Sequence, residues 1–198
     1  MIVFGARDTG AGQSLCLGLT LRLMIARFFA LAAFFALAPA HAAQTLSLTL
    51  SAVEPGRDAR VNVWLPERAG GTLPVIVFSH GNYCEEDRYG VLFEAIADAG
   101  YAVLAPAHLD RAPPPSAASP RLSGAQTWPA RLADMRAVAD RLGEIEKQLP
   151  GGVTLDATRM IAAGHSYGGA VAQALGGATM YGRDGTGMAT RARDARFK

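Results

Sequence analysis

A serine between two glycines is the pattern in this sequence that points most directly to chemistry. Residues 164–168 read Gly-His-Ser-Tyr-Gly and match the pattern G-x-S-x-G, with Ser166 at the centre. A serine held between a strand and a helix takes up a strained backbone conformation that lifts its hydroxyl above the sheet. Gly164 and Gly168 fit such a turn because the flanking segments approach too closely for side chains. The pattern predicts a nucleophile at Ser166, and a serine that only caps the following helix is the alternative.

Two backbone N–H groups are expected to face this serine. The Tyr167 N–H is the first donor of the following helix, whose N-terminal end favours negative charge. The second donor is expected from the segment "SHGNY", residues 79–83, where Gly81 permits a tight turn and the Asn82 N–H can point into the site. These two donors would form an oxyanion hole for acyl transfer. An ordinary strand-to-helix loop is the alternative for residues 79–83.

The histidines do not supply an obvious base for the serine. All of them precede Ser166 in the chain: His41, His80, His108 and His165. We expect His80 to brace its loop and His165 to face either the packing or the rim of the site. A position in a loop or at the rim is also expected for His108, in preference to a catalytic pair with Asp110.

The serine can be held in this way only if regular elements flank it, and the hydrophobic pattern predicts them. Alternating apolar residues predict two strands joined by a turn at Pro55-Gly56, and continuous β-branched runs predict buried strands. Apolar residues at helical spacing predict the helices. The predicted elements in chain order are strands at residues 45–50, 60–65 and 75–78, a helix at 89–99, a strand at 101–106, a loop at 112–124, a helix at 128–149, a strand at 159–166 and a helix at 167–175. This order predicts an α/β fold with a mainly parallel sheet and helices on both faces. The tail, residues 179–198, has no apolar run long enough for another strand.

Four segments carry a resemblance to a known family. They are "PVIVFSHGN" (residues 74–82), "GYAVLAPAH" (100–108), "ARLADMRAVADRL" (130–142) and "LDATRMIAAGHSYGGAVAQALGGA" (155–178). Over about residues 59–178 the chain resembles the α/β-hydrolase superfamily. In particular it is similar to the predicted dienelactone-hydrolase and platelet-activating-factor acetylhydrolase-like branch.

This resemblance implies an α/β-hydrolase fold with Ser166 as the nucleophile. It implies an oxyanion hole from the Tyr167 and Asn82 backbones, and no cofactor or metal. Dienelactone hydrolases carry a cysteine nucleophile, so their lactone substrate does not carry over to a serine. Arg131 and Asp134 match a helix motif that is structural in the relatives.

Hydrolases of this superfamily place the catalytic acid and histidine after the nucleophile. Asp184 and Asp194 follow Ser166 but lie in a glycine-rich tail, and "RARDARFK", residues 191–198, resembles the approach to a further strand. We therefore expect a C-terminally truncated serine hydrolase that acts on small-molecule carboxylic esters, with doubtful activity of this chain alone. A non-catalytic binding protein or degenerate hydrolase fragment is the alternative, and acyl transfer also stays open.

The N-terminal region is expected to direct export. Residues 1–42 are predicted to be a leader and signal peptide, and residues 43–198 an incomplete α/β-hydrolase domain. Met24 can be the true start; residues 28–38 are apolar, and residues 40–42 read Ala-His-Ala, a small-x-small cleavage pattern. The protein would then be periplasmic or secreted, without a stable membrane span after cleavage. A membrane-spanning helix is the alternative, but the apolar run is short for one.

Charge and cysteine content exclude other classes of partner. The formal net charge is +2 and the basic residues are scattered, which argues against a nucleic-acid surface. The two cysteines, Cys16 and Cys84, lack a histidine pair at ligand spacing, so no metal site is expected. Removal of residues 1–42 would leave Cys84 without a disulfide partner.

Overall fold

The computed structural model describes residues 43–54, 57–111, 123–181, 187–188 and 192–198. These residues belong to one compact unit, His41–Lys198. The predicted leader and signal peptide, the turn at Pro55-Gly56 and all but the end of the predicted loop at 112–124 lie outside the described residues.

The main sheet contains the strands that the alternating and continuous apolar runs predict. Its strands are β1 (Gln44–Glu54), β2 (Arg57–Leu65), β3 (Gly71–Ser79), β4 (Ala102–Pro106) and β5 (Val153–Gly164), in the spatial order β1-β2-β4-β3-β5. β1 and β2 form the predicted antiparallel hairpin, and β2 also pairs antiparallel with β4. β3 lies parallel to both β4 and β5. The crossovers between parallel strands bring the carboxyl ends of β3, β4 and β5 to one edge of the sheet.

The helices are α1 (Gly90–Asp98), α2 (Gly124–Asp140), α3 (Leu142–Glu146) and α4 (Tyr167–Leu175), with a 3₁₀ turn at Glu86–Tyr89. The predicted helix at 128–149 is therefore wrong as a single element. It begins earlier because Ser123 is the N-cap of a capping box, in which the Gln126 side-chain oxygen accepts the Ser123 N–H at 3.0 Å. It is interrupted at Arg141, whose φ of −115° and ψ of 24° leave the helical region.

Each face of the sheet is covered by helices, as predicted. Along β4, Ala102 and Leu104 belong to a core shared with α2, α3 and α4. The alternate residues Val103 and Ala105 belong to a second core with Phe93 of α1. This alternation follows from the period-two geometry of a strand buried on both sides.

The tail differs from its prediction. Two-residue strands β6 (Met180–Tyr181) and β7 (Gly187–Met188) pair with each other, although the sequence there has no long apolar run. Such a short pairing needs only backbone hydrogen bonds, so the hydrophobic pattern does not signal it. Phe197 also forms a parallel bridge with Met160 of β5, and the Lys198 N–H donates to the Met160 carbonyl at 2.9 Å.

Candidate active site

Ser166 lies at the sharp turn between β5 and α4. Its φ of 53° and ψ of −117° place an L-residue in a disfavoured region. The side chain is exposed. Although Ser166 holds the N-cap position of α4, its side chain makes no capping hydrogen bond. Helix capping, the alternative interpretation of this serine, therefore does not describe what its hydroxyl does.

The two glycines of this turn hold three backbone segments in contact. A Cβ on Gly168 would lie 1.9 Å from the Ser79 carbonyl oxygen, and a Cβ on Gly164 would lie 2.4 Å from the Gly168 carbonyl group. Neither distance is compatible with a side chain. The end of β3, the end of β5 and the first turn of α4 can therefore meet only because both positions are glycine.

The loop that follows β3 is brought beside this serine by the register of the sheet. Ser79, the last residue of β3, pairs with Gly164, the last residue of β5. We refer to residues 79–84 as the 79–84 loop. The Cys84 N–H donates to the Gly81 carbonyl at 3.1 Å, so Asn82 and Tyr83 form the tip of a tight turn. Asn82 is exposed at this tip, whereas Ser79 is fully buried.

Tyr89 and His165 connect this loop to the serine turn. The Gly81 N–H donates to the Tyr89 hydroxyl at 3.0 Å. The same hydroxyl lies 3.0 Å from Nδ1 of His165, the residue directly before Ser166. His165 is exposed, which agrees with the expected position at the rim.

Arg131 of α2 binds the 79–84 loop from the protein interior. Its guanidinium is fully buried and forms a bidentate ion pair with Asp110, with both N–O distances at 2.9 Å. The remaining N–H groups donate to Ser79 Oγ at 3.1 Å and to two backbone carbonyls of the loop, those of His80 at 2.5 Å and Gly81 at 3.2 Å. All five donors of the guanidinium therefore have an acceptor.

His80 braces the loop, as expected. It is buried, and its Nδ1 donates to the Gly81 carbonyl at 2.8 Å. Its Nε2 accepts the backbone N–H of His108 at 3.3 Å. Burial lowers the pKa of His80, and this pair of contacts fits the neutral ring, with one donor and one acceptor.

His108 lies in the loop after β4, as expected, but it is buried and not at the rim. Its Nε2 lies 2.8 Å from Ser79 Oγ, and its Nδ1 lies 2.8 Å from Asp134 Oδ2. The carboxylate partner is thus Asp134 on α2, and not Asp110, which is nearer in the sequence. Burial lowers the pKa of His108 well below its ordinary value, which favours the neutral ring.

These contacts form a Ser-His-Asp chain that is separate from Ser166. Ser79 has no exposed surface, and its hydroxyl already lies between His108 and Arg131. No substrate can reach this hydroxyl. Burial raises the pKa of Asp134 to about 6, against the opposing effect of its hydrogen bond from Arg57. The hydrogen-bonded series of Ser79, His108 and Asp134 is part of the packing that supports the 79–84 loop.

Comparison with known proteins places the chain in a family. The profile of the chlorophyllase family matches residues 38–181. The chain belongs to the chlorophyllase family. This match covers the serine turn, the 79–84 loop and the buried contacts of Ser79, His108 and Asp134.

Two plant relatives, from Citrus unshiu and Citrus sinensis, are each named "Chlorophyllase-1, chloroplastic". Each is 33% identical over 106 residues, a segment that makes up 53% of this chain and 29% of the relative. The chain thus spans less than a third of the length of these curated relatives. Among solved structures, a ferulic acid esterase from Streptomyces cinnamoneus is similar at 23% identity and a TM-score of 0.50, over 69% of this chain and 56% of that one.

The α/β-hydrolase fold predicted from the sequence is confirmed for this member of the chlorophyllase family. The narrower resemblance to the dienelactone-hydrolase and acetylhydrolase-like branch stays a prediction. The sequence motif at 164–168 identified the turn, and the loop glycine at 81 identified its neighbour. The resemblance implies only a structural role for Arg131, and the sequence carries no signal for its contacts, which lie about fifty positions earlier in the chain.

Cys84 is a free cysteine of intermediate exposure. Among the described residues, no group of three or more His, Cys, Asp or Glu side chains is arranged to hold a metal ion. The helices in the described part of the chain include none that is long and apolar enough to cross a membrane.

Proposed function

We propose that this protein is a serine hydrolase of carboxylic esters, with Ser166 as its nucleophile. The observation that carries the proposal is the conformation of Ser166. A disfavoured backbone geometry persists only where the surrounding structure enforces it, and such residues cluster at active sites. Here the strain presents an exposed hydroxyl at the carboxyl edge of the sheet, the edge at which α/β folds bind ligands.

In the proposed reaction, Ser166 Oγ attacks the ester carbonyl carbon and the carbonyl π electrons move to its oxygen. The N–H groups of Asn82 and Tyr167 stabilise this oxyanion. When the carbonyl re-forms, the bond to the alcohol oxygen breaks and the alcohol leaves with a proton. Water then attacks the acyl-enzyme in the same way and releases the acid.

The serine proton needs an acceptor, and the described histidines have other partners. His80 and His108 are buried and hydrogen-bonded, and His165 Nδ1 is bonded to Tyr89. We therefore expect slow turnover, and covalent labelling is a better primary test than steady-state hydrolysis. A serine without its histidine base loses turnover on the order of 10⁶-fold.

The substrate class we propose is an ester with an apolar alcohol or acyl group. Three large apolar side chains are exposed in segments that follow the carboxyl ends of β3 and β4: Val91, Leu92 and Leu109. These segments lie at the edge that carries Ser166. The name of the two plant relatives makes chlorophyll, itself an ester of a long apolar alcohol, the first natural compound to test.

A fluorophosphonate probe tests the nucleophile. We expect labelling of the wild-type chain at Ser166, none in Ser166→Ala, and retained labelling in Ser79→Ala, the matched control at the buried serine. Release of p-nitrophenol from a p-nitrophenyl ester should follow the same order. A folded wild-type chain that is not labelled would instead support the non-catalytic binding protein.

We also propose that the protein is exported, to the periplasm or the medium, after cleavage behind Ala42. The support is the charged, apolar and small-x-small order of residues 24–42. Expression from Met24 in a bacterial host, followed by N-terminal sequencing, should give a chain that begins at Ala43. A chain that keeps its N-terminus contradicts export.

A further inference from the structure

We propose that Arg131, held by Asp110, is the positioning residue that fixes both N–H donors of the oxyanion hole. This inference rests on the proposed function and goes beyond it, because Arg131 touches neither the nucleophile nor the expected place of the substrate. Its contacts lead instead to the two segments that carry the Asn82 and Tyr167 amides.

The first link is the direction of the Asn82 N–H. Arg131 Nη2 donates to the Gly81 carbonyl, and the same carbonyl also accepts from His80 Nδ1 and the Cys84 N–H. In a planar trans peptide the C=O and the following N–H point in opposite directions. A Gly81 carbonyl that points inward to a buried guanidinium therefore turns the Asn82 N–H outward, toward the surface.

In the preceding peptide unit, between His80 and Gly81, the carbonyl and the N–H also point in opposite directions. Arg131 Nη1 donates to the His80 carbonyl at 2.5 Å, and the Gly81 N–H of that unit points away, to the Tyr89 hydroxyl. Two consecutive peptide planes of the 79–84 loop are thus oriented by one guanidinium. Rotation of either plane would break hydrogen bonds on both of its sides.

The second link is Tyr167, the other donor residue. The guanidinium carbon of Arg131 lies 4.9 Å from the centroid of the Tyr167 ring, within cation–π range. The Tyr167 hydroxyl lies 3.1 Å from Thr127 Oγ1, one helical turn before Arg131 on α2. The residue that opens α4 is therefore anchored on the same helix face that holds the 79–84 loop.

Asp110 gives the guanidinium its orientation. The bidentate pair fixes the plane of the fork, so that the three other N–H groups point at Ser79 Oγ and the two carbonyls. A lysine at this position would keep the charge but present three donors in a different geometry, and could not satisfy five acceptors. The arrangement therefore depends on the shape of the arginine side chain and not on its charge alone.

The experiment compares the full chain with Arg131→Lys and Arg131→Met. Arg136→Met is the control on the same helix, since the Arg136 guanidinium donates to the Ala192 carbonyl and not to the loop. Hydrogen exchange is measured by mass spectrometry in peptides that cover residues 79–84 and residues 90–98. The rate constant for fluorophosphonate labelling of Ser166 is measured on the same samples.

We expect both Arg131 variants to raise exchange in residues 79–84 by about tenfold or more, with residues 90–98 unchanged. The labelling rate constant should fall by about 10²–10³-fold, the usual effect of losing an oxyanion donor. The control should change neither. If Arg131→Met does not fold, Arg131→Lys decides the question.

Wild-type labelling rates in folded Arg131 variants overturn the inference, and so does unchanged exchange in residues 79–84. A wild-type chain that is not labelled at all overturns the proposed function and, with it, the catalytic part of the inference. In that case the exchange data still decide whether Arg131 fixes the loop, so the two failures are distinguishable.

Discussion

Two serines lie at neighbouring strand ends of this sheet, and they have opposite environments. Ser79 ends β3 and is buried, with its hydroxyl bonded to His108 and Arg131. Ser166 follows β5 and is exposed, strained and without a capping bond. A search for Ser-His-Asp hydrogen bonds alone would choose Ser79. Solvent exposure and backbone strain point instead to Ser166. These two properties therefore indicate a candidate nucleophile better than the presence of a Ser-His-Asp series of hydrogen bonds does.

The energetic roles of the two serines differ in the same way. The buried chain from Ser79 to Asp134 satisfies polar groups that would otherwise be costly to bury. The turn at Ser166 instead holds a disfavoured conformation that the rest of the fold must support. We therefore expect substitutions at Ser79 to affect stability and substitutions at Ser166 to affect reactivity.

The largest expected effect on stability comes from Gly168, where the turn after Ser166 contacts the end of β3 at Ser79. Gly168→Ala would place a Cβ 1.9 Å from the Ser79 carbonyl oxygen, so backbone must move. We expect the free energy of unfolding to fall by about 3 kcal/mol or more, as measured by urea denaturation. Gly169→Ala is the matched control, because its Cβ would lie 3.4 Å from the Gly164 oxygen, an ordinary contact. Equal stability of the two variants would show that the segments are not in close contact.

The next prediction compares the two serines by the effect of each alanine substitution on the free energy of unfolding. Ser79→Ala leaves His108 Nε2 and one Arg131 N–H without a partner, so we expect a loss of about 1–3 kcal/mol in the free energy of unfolding. Ser166→Ala should change it by less than about 0.5 kcal/mol, since no hydrogen bond of the hydroxyl is lost. Urea denaturation of both variants checks this. A lower free energy of unfolding for Ser166→Ala than for Ser79→Ala would contradict the structural role of Ser79.

Local patterns explain what the sequence could predict. The helix at 167–175 has the predicted bounds, whereas the strand before it runs Val153–Gly164 and so begins earlier and ends two residues sooner than the predicted 159–166. Both are determined by short-range hydrophobic spacing and by glycines, which are visible in one stretch of sequence. The close approach that requires Gly168 follows from the same motif.

Long-range polar contacts explain what the sequence could not predict. His108 bonds to Ser79 and Asp134, which lie 29 and 26 positions away, and not to nearby Asp110. Arg131 bonds to carbonyls 51 and 50 positions earlier. Such partners depend on how α2 packs across the sheet, and residue spacing carries no information about that packing.

Three buried titratable residues, His80, His108 and Asp134, should also make stability depend on pH. Burial lowers the pKa of His80 and His108, so their contribution is present above pH 6.5 and is lost as the pH falls. Asp134 has the opposite sign: its pKa rises from 3.8 to about 6, so its contribution is present below pH 3.8 and is lost as the pH rises through 6. Between pH 6 and 4 the two effects oppose each other.

Asp134→Asn removes the opposing carboxyl. We expect the free energy of unfolding to fall more steeply between pH 6 and 4 than in the wild type, by up to about 1.4 kcal/mol per pH unit. Urea denaturation at a series of pH values measures the slope, and Asp98→Asn on the surface of α1 controls for the loss of one charge. Identical slopes in the wild type and Asp134→Asn would contradict the assignment of Asp134 as a buried, proton-binding partner of His108.

The smallest expected effect tests the strain at Ser166 itself. Glycine adopts a φ of 53° without the side-chain clash, which costs other residues about 1–2 kcal/mol, although it also gains entropy in the unfolded chain. We expect Ser166→Gly to be more stable than Ser166→Ala by about 1 kcal/mol, because both lack the hydroxyl and only alanine keeps the strain. Thermal denaturation of the pair measures the difference. If the glycine variant is the less stable one, the turn is not strained, and the feature that distinguishes Ser166 from Ser79 reduces to exposure alone.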